Sequence, residues 1–131
     1  MAPRYSLLEP HCRRYRPRVD VPMTIETRMR ADLPGAMKAR DTVTVAALRT
    51  ALAAIANAEA PAVPSGWMEP VVGEQHERPR LVLAESDVRA VVRREIADRH
   101  ATISELAAGA PAQPEIAVLQ AQADVLESYL R

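Results

Sequence analysis

Phenylalanine is absent from this 131-residue chain, tryptophan and cysteine occur once each, and there are only three tyrosines and four glycines. β-Strands favour aromatic and β-branched side chains, so the scarcity of aromatics argues against a sheet protein. A lone Cys12 excludes an intrachain disulfide and cannot build a thiolate metal site, which suits a reducing compartment. No apolar run approaches the ~18 residues that suggest a membrane span. Arg13-Arg14 could open a twin-arginine export signal, but the charged, proline-bearing Arg16–Pro22 follows where an apolar segment is needed. The expectation is a soluble, cytoplasmic protein. Net charge is also missing: seventeen basic and seventeen acidic residues cancel. That excludes a surface acting as a whole as a trap for nucleic acid, but leaves room for a local patch. Lysine is nearly absent too, with Lys38 the single exception among sixteen arginines. Arginine suits phosphate recognition, and it also accumulates in proteins from GC-rich genomes.

Alanine is what the chain has in plenty. Apolar residues make up 48% of the sequence, but 24 of the 131 positions are Ala, so large apolar side chains are few. Alanine is the best helix former and lets helix axes approach closely. The expected fold is therefore all-α, a bundle of about four helices in one domain spanning residues 23–131, with little room for a deep ligand cavity.

Asp41 to Glu59 carries the strongest helix pattern. Val45, Leu48, Leu52 and Ile55 recur at steps of three, four and three and stack into one stripe. Asp41 can cap the amino end and Pro61 closes the other. Upstream, residues 1–22 hold four Pro and five Arg with no sustained period, which predicts a flexible basic extension. Ile25, Met29, Leu33 and Met37 then fall four apart and predict a first helix from Thr24 to about Arg40, kinked or broken at Pro34-Gly35. The short joint at Arg40-Asp41 requires the first two helices to be antiparallel or steeply crossed.

Residues 60–80 contain four Pro and two Gly and read as a long loop, pinned to the bundle by Trp67 and Met68. A third helix is expected near Ser86, with Ser86 as its cap. Its apolar set is Val88, Val92, Ile96, Ile103 and Leu106, with Arg89, Arg93, Arg94 and Arg99 interleaved with acids on solvated faces. A fourth helix runs from Pro114, with Ile116, Leu119, Ala123, Leu126 and Leu130 on its stripe. The expected core is Val45, Leu48, Leu52, Ile55, Val92, Ile96, Ile103, Leu119 and Leu126.

The three histidines, at 11, 76 and 100, are scattered, and there is no phosphate loop, nucleophile elbow or metal-binding spacing. No cofactor, metal or catalytic residue is assigned, and no intrinsic catalytic activity is expected. Two readings compete for the charged residues bordering the apolar stripes. In one, Arg49 and Glu95 form an ion pair between helices, because a charge near a core needs a partner. In the other, Lys38, Arg40, Arg49, Arg93 and Arg94 form a patch for RNA phosphates.

The segment from Ala36 through Lys38 to Asp41, Leu48-Arg49, and Ala53 to Glu59 resembles the opening helical pair of the YqeY family. That family's helical domain is related to the tail of the B subunit of the tRNA-dependent amidotransferase. Glu95-Ile96, Arg99, Ile103 and Val125 to Leu130 resemble its later helices, so the likeness spans Thr24 to Leu130. The family usually writes a Pro after Tyr-Leu and continues into a second small helical domain, where this sequence has Arg131, and its link between the helical pairs is shorter. The resemblance implies a non-catalytic helical binding module that contacts tRNA or a tRNA-handling partner of amidotransferase type. The competing expectation is a protein-interaction or homodimerisation domain with no nucleic-acid role.

Overall fold

The structure, a computed structural model, describes residues 23–61 and 79–131. The expected 1–22 extension and the Trp67 and Met68 anchors lie outside the described residues. Four helices follow in order: α1 (Ile25–Lys38), α2 (Thr42–Glu59), α3 (Glu85–Gly109) and α4 (Pro114–Leu130), with no strand among the described residues. The all-α bundle expected from the sequence is the fold observed. No helix among the described residues is long and apolar enough to cross a membrane.

Local chemistry sets each boundary. The Thr24 hydroxyl accepts from the Thr27 amide at 3.2 Å and caps α1, while Glu26 in the first turn and Lys38 in the last complement the helix dipole. α1 is one continuous helix through Pro34, against the expectation of a break into two short helices. Pro34 and Arg30 are both exposed, so the carbonyl of Arg30 that loses its bond faces solvent and the ring crowds no core. Asp41 caps α2 by accepting from the Thr44 amide at 3.1 Å. At the other end Ala60, held extended before Pro61, terminates it. Leu81 then donates to the Glu59 carbonyl at 2.8 Å, returning the chain to α2 where the long connection ends.

α3 begins two residues earlier than a Ser86 cap would place it, and Ser86 is not its cap. Ala84 holds the cap position, and the Asp87 carboxylate accepts from the Ala84 amide at 3.2 Å. The neighbouring Glu85 carboxylate accepts from the Ile25 amide at 3.0 Å and ties the starts of α1 and α3 together. Pro114 opens α4, where its missing N–H costs no helical bond.

α2 packs against all three other helices. α3 runs back along it, with Arg99 meeting Thr50 while Val91 and Arg94 lie beside Ala54, Asn57 and Ala58. α4 returns along α3, where Gln122 reaches Arg99 and Arg89 donates to the Leu130 carbonyl at 3.0 Å. The core is Ile25 and Met29 of α1; Ala47, Leu48, Ala51 and Ile55 of α2; Val88, Val92 and Ile96 of α3; and Ala123, Leu126 and Tyr129 of α4.

The expected core is therefore shifted. Leu48, Ile55, Val92, Ile96 and Leu126 are buried, while Val45, Leu52, Ile103 and Leu119 are only half-buried. The axis of contact on α2 runs through Ala47 and Ala51, which let neighbouring helices come close, and Val45 and Leu52 flank it. Burying a large apolar side chain such as Leu48 or Leu126 contributes ~1.5–3 kcal/mol.

Two polar groups join helices inside this packing. Arg99, expected on a solvated face, is only 8% exposed. Its guanidinium donates to the Glu95 carbonyl and carboxylate at 2.9 and 3.0 Å, to the Gln122 side chain at 3.2 Å and to the Thr50 hydroxyl. It thereby links α2, α3 and α4 through one planar fork. Near the carboxyl end of α4, the Tyr129 hydroxyl donates to Asp32 of α1 at 2.6 Å, and Arg28 lies 5.2 Å from the ring centroid. Burial, then the bond to Asp32, push the Tyr129 phenol up to about 12 from its ordinary 10.0. Stability from this group is complete below pH 10 and declines as pH rises through about 12.

Replacing Arg99 by Ala should destabilise the bundle by about 2–3 kcal/mol in urea unfolding, since Glu95 and Thr50 lose their donor but Glu95 reaches solvent. Arg99→Met should lose less, because its apolar stem refills the space. An Arg99→Ala loss below about 0.5 kcal/mol would contradict the junction.

Candidate functional site

The turn between α1 and α2 is only three residues long, Ala39 to Asp41, and reverses the chain. Arg40 donates to the Met37 carbonyl at 3.1 Å and Asp41 to the Ala36 carbonyl at 3.0 Å. This pair of bonds is a Schellman motif, which places its residue after the cap in the left-handed region. That residue is Arg40, with φ of 55°, the only non-glycine with positive φ among the described residues. Glycine occupies such a position without strain, whereas a side chain there costs ~1–2 kcal/mol.

Beside the turn lies an open groove of about 560 Å³, lined by Met37, Arg40, Thr42, Val45, Ala46 and Arg49. Met37 (49% exposed), Val45 and Ala46 form an apolar floor, and Arg40 and Arg49 stand on its rim. Arg49 donates to the Met37 sulfur at 3.8 Å. Lys38, also exposed, belongs to the last turn of α1 immediately before. Among the described residues no ion pair engages Lys38, Arg40 or Arg49. α2 carries no acid in its first turn, and its amino end, at Thr42, adds the positive end of the helix dipole. Asp41 adjoins Arg40 in the chain, and both of its carboxylate oxygens are engaged by Thr44.

The five basic residues singled out in the sequence therefore divide. Lys38, Arg40 and Arg49 gather around the α1–α2 turn. Arg93 and Arg94 are exposed on α3, and Arg94 lines a separate groove with Ala54, Asn57, Ala58, Val91 and Glu95. Asn57 is eight residues beyond Arg49 on α2, about 12 Å along the helix. The expected Arg49–Glu95 ion pair is not formed, because the Glu95 carboxylate pairs with Arg99, one turn further along its own helix, at 3.0 Å. His100 is half-exposed and 3.6 Å from Glu127, as a boundary residue between α3 and α4.

The groove floor was not visible in the periodicity, which assigned Val45 and Met37 to buried stripes. The strained arginine had a signal in the sequence. A first helix expected to reach about Arg40 and a second capped by Asp41 leave almost no residues for the reversal, and a left-handed residue at the helix end is a common way to make so short a turn. Among the described residues no group of three or more His, Cys, Asp or Glu could hold a metal ion. No known protein family, curated protein or solved structure matches the chain.

The Asp41 carboxyl is held below its ordinary 3.8, first by the Thr44 hydroxyl and then by the Thr44 amide. The charged cap thus favours the folded state above about pH 4, and this contribution is lost as pH falls through the lowered value. In urea unfolding, Asp41→Ala should reduce stability at pH 7, and the gap to the wild type should narrow between pH 4 and pH 2. A gap that stays constant over that range would remove the charge from the cap's role.

Proposed function

We propose that the chain is a non-catalytic helical binding module that contacts tRNA through the phosphates held by Lys38, Arg40 and Arg49. The observation that carries this reading is Arg40. A cationic side chain occupies a left-handed position where glycine would be less strained, at the rim of a groove whose other cation has no carboxylate partner among the described residues. Strain retained at an exposed turn is accounted for when the side chain has work to do there. The resemblance of Ala36 to Asp41, Leu48-Arg49 and Ala53 to Glu59 to the YqeY opening pair supplies the ligand class, tRNA or a tRNA-handling protein. Net neutrality is compatible with this, because Arg40 and Arg49 line one groove with Lys38 close by, and the Asp41 carboxylate beside them is engaged by Thr44.

A second reading, assembly into a homodimer, has its own observation. Val118 is 44% exposed and shares an open groove of about 430 Å³ with Leu106, Pro114, Glu115 and Leu119, where α3 and α4 meet.

The test is a tRNA titration at two salt concentrations, followed by light scattering so that protein mass is read in the same experiment. Affinity should fall as salt rises, with a log–log slope that decreases by about 0.7–0.9 for each cation removed. Arg40→Gly should raise thermal stability by up to ~1 kcal/mol while weakening tRNA binding. Arg93→Ala with Arg94→Ala should leave both unchanged. Absence of tRNA binding at low salt would end the RNA reading, and a doubled mass without RNA would favour the dimer.

A further inference from the structure

The cations at the α1–α2 turn account for affinity to a phosphate chain, but not for the apolar surface between them. Met37, Val45 and Ala46 form a floor that a ligand made only of phosphate and ribose would leave wetted and unused. Duplex RNA presents its phosphates on the outside and keeps its bases stacked within, so it could meet the rim but not fill the floor. A nucleotide whose base is unstacked presents both chemistries at once, a flat apolar face and an anionic phosphate within one residue's reach.

We infer that the groove takes an unpaired nucleotide of single-stranded RNA, its base against Met37, Val45 and Ala46 and its phosphates toward Arg40 and Arg49. This rests on the RNA reading above and names the form of RNA the site selects. Four features of the site support it. The groove volume of about 560 Å³ is open to solvent along one side, so a base enters without any helix moving. The Arg49 guanidinium, 3.8 Å from the Met37 sulfur, is a planar group able to stack on a base from the rim. The methionine sulfur is itself polarisable and packs well against aromatic rings. The backbone at Arg40 is fixed by the Arg40 amide bond to Met37 and the Asp41 amide bond to Ala36, so its Cα sits at the groove rim before the ligand arrives. Apart from the Thr42 hydroxyl and the rim arginines, the groove lining carries no side-chain donor or acceptor to read the base edge, so the site should be largely tolerant of base identity.

The test compares three fluorescein-labelled RNAs of equal phosphate number by anisotropy at low salt with the full chain: an unstructured single strand, the same strand with abasic residues, and a blunt duplex. The base-bearing strand should bind about fivefold or more tighter than the abasic strand, a difference that salt changes little because both carry the same charge. Ala46→Leu, which fills the groove with a good helix former, should abolish that difference while leaving the salt dependence intact. Met37→Gln, a second change at an exposed helical position, should reduce it. Arg49→Ala should weaken all three RNAs. Equal binding of the base-bearing and abasic strands would overturn the nucleotide pocket while sparing the phosphate contact. Failure of all three RNAs to bind would overturn the RNA reading itself. An acidic amphipathic peptide that bound the groove more tightly than the single strand, and lost affinity in Ala46→Leu, would assign the groove to a protein partner and overturn the inference.

Discussion

Two alanines on α2 decide how the rest of the molecule packs. Ala47 and Ala51 are fully buried in a helix that touches every other helix, and a larger side chain at either place would hold its neighbours apart. With no Phe available to fill space, small buried residues at these contacts leave room for the helix axes to approach one another. Leu48 and Ile55 then meet Met29, Val92 and Leu126 at the same depth. This close approach also explains why an arginine can be buried. Arg99 finds Thr50, Glu95 and Gln122 within hydrogen-bond reach only because α2, α3 and α4 converge there, and no buried side-chain polar atom among the described residues is left without a partner.

The same geometry positions the site at the α1–α2 turn. Because the stripe of α2 that faces the core runs through Ala47, Leu48 and Ala51, the adjoining face, with Val45, Ala46 and Arg49, is turned toward the end of α1. The three-residue reversal holds α1 against that face, and Arg40 is fixed at its tip. Apolar floor and cationic rim thus follow from how two helices are joined, with no loop folded specially to make them. Whatever binds there meets a surface ordered by the core beneath it, which reduces the entropy lost on binding.

Much of this architecture was legible in the residues. The existence and order of all four helices followed from apolar periodicity. The Asp41 cap, the stop at Pro61 and the start at Pro114 followed from chemistry local to each end. What could not be read were properties that depend on neighbours. Val45 and Leu52 have the spacing of core residues, yet the helix is rotated so that the alanines between them face inward, and only the packing partners determine that rotation. Arg99 sits among charged residues and looked solvated; its burial depends on Thr50 and Gln122, 49 and 23 residues away. The Arg49–Glu95 pair failed for a related reason, since a carboxylate four residues before an arginine on the same helix has a closer partner there. Pro34 looked like a break because the pattern does not reveal that its turn faces solvent.

The central claim, that α2 is the element on which the other three helices rest, is open to native-state hydrogen exchange read residue by residue. The account predicts that amides from Leu48 to Ile55 exchange only through global unfolding, with protection equal to the full stability of the bundle, while the first turn of α4 opens locally at lower free energy. Protection highest in the α3–α4 pair, with α2 exchanging through local opening, would contradict it.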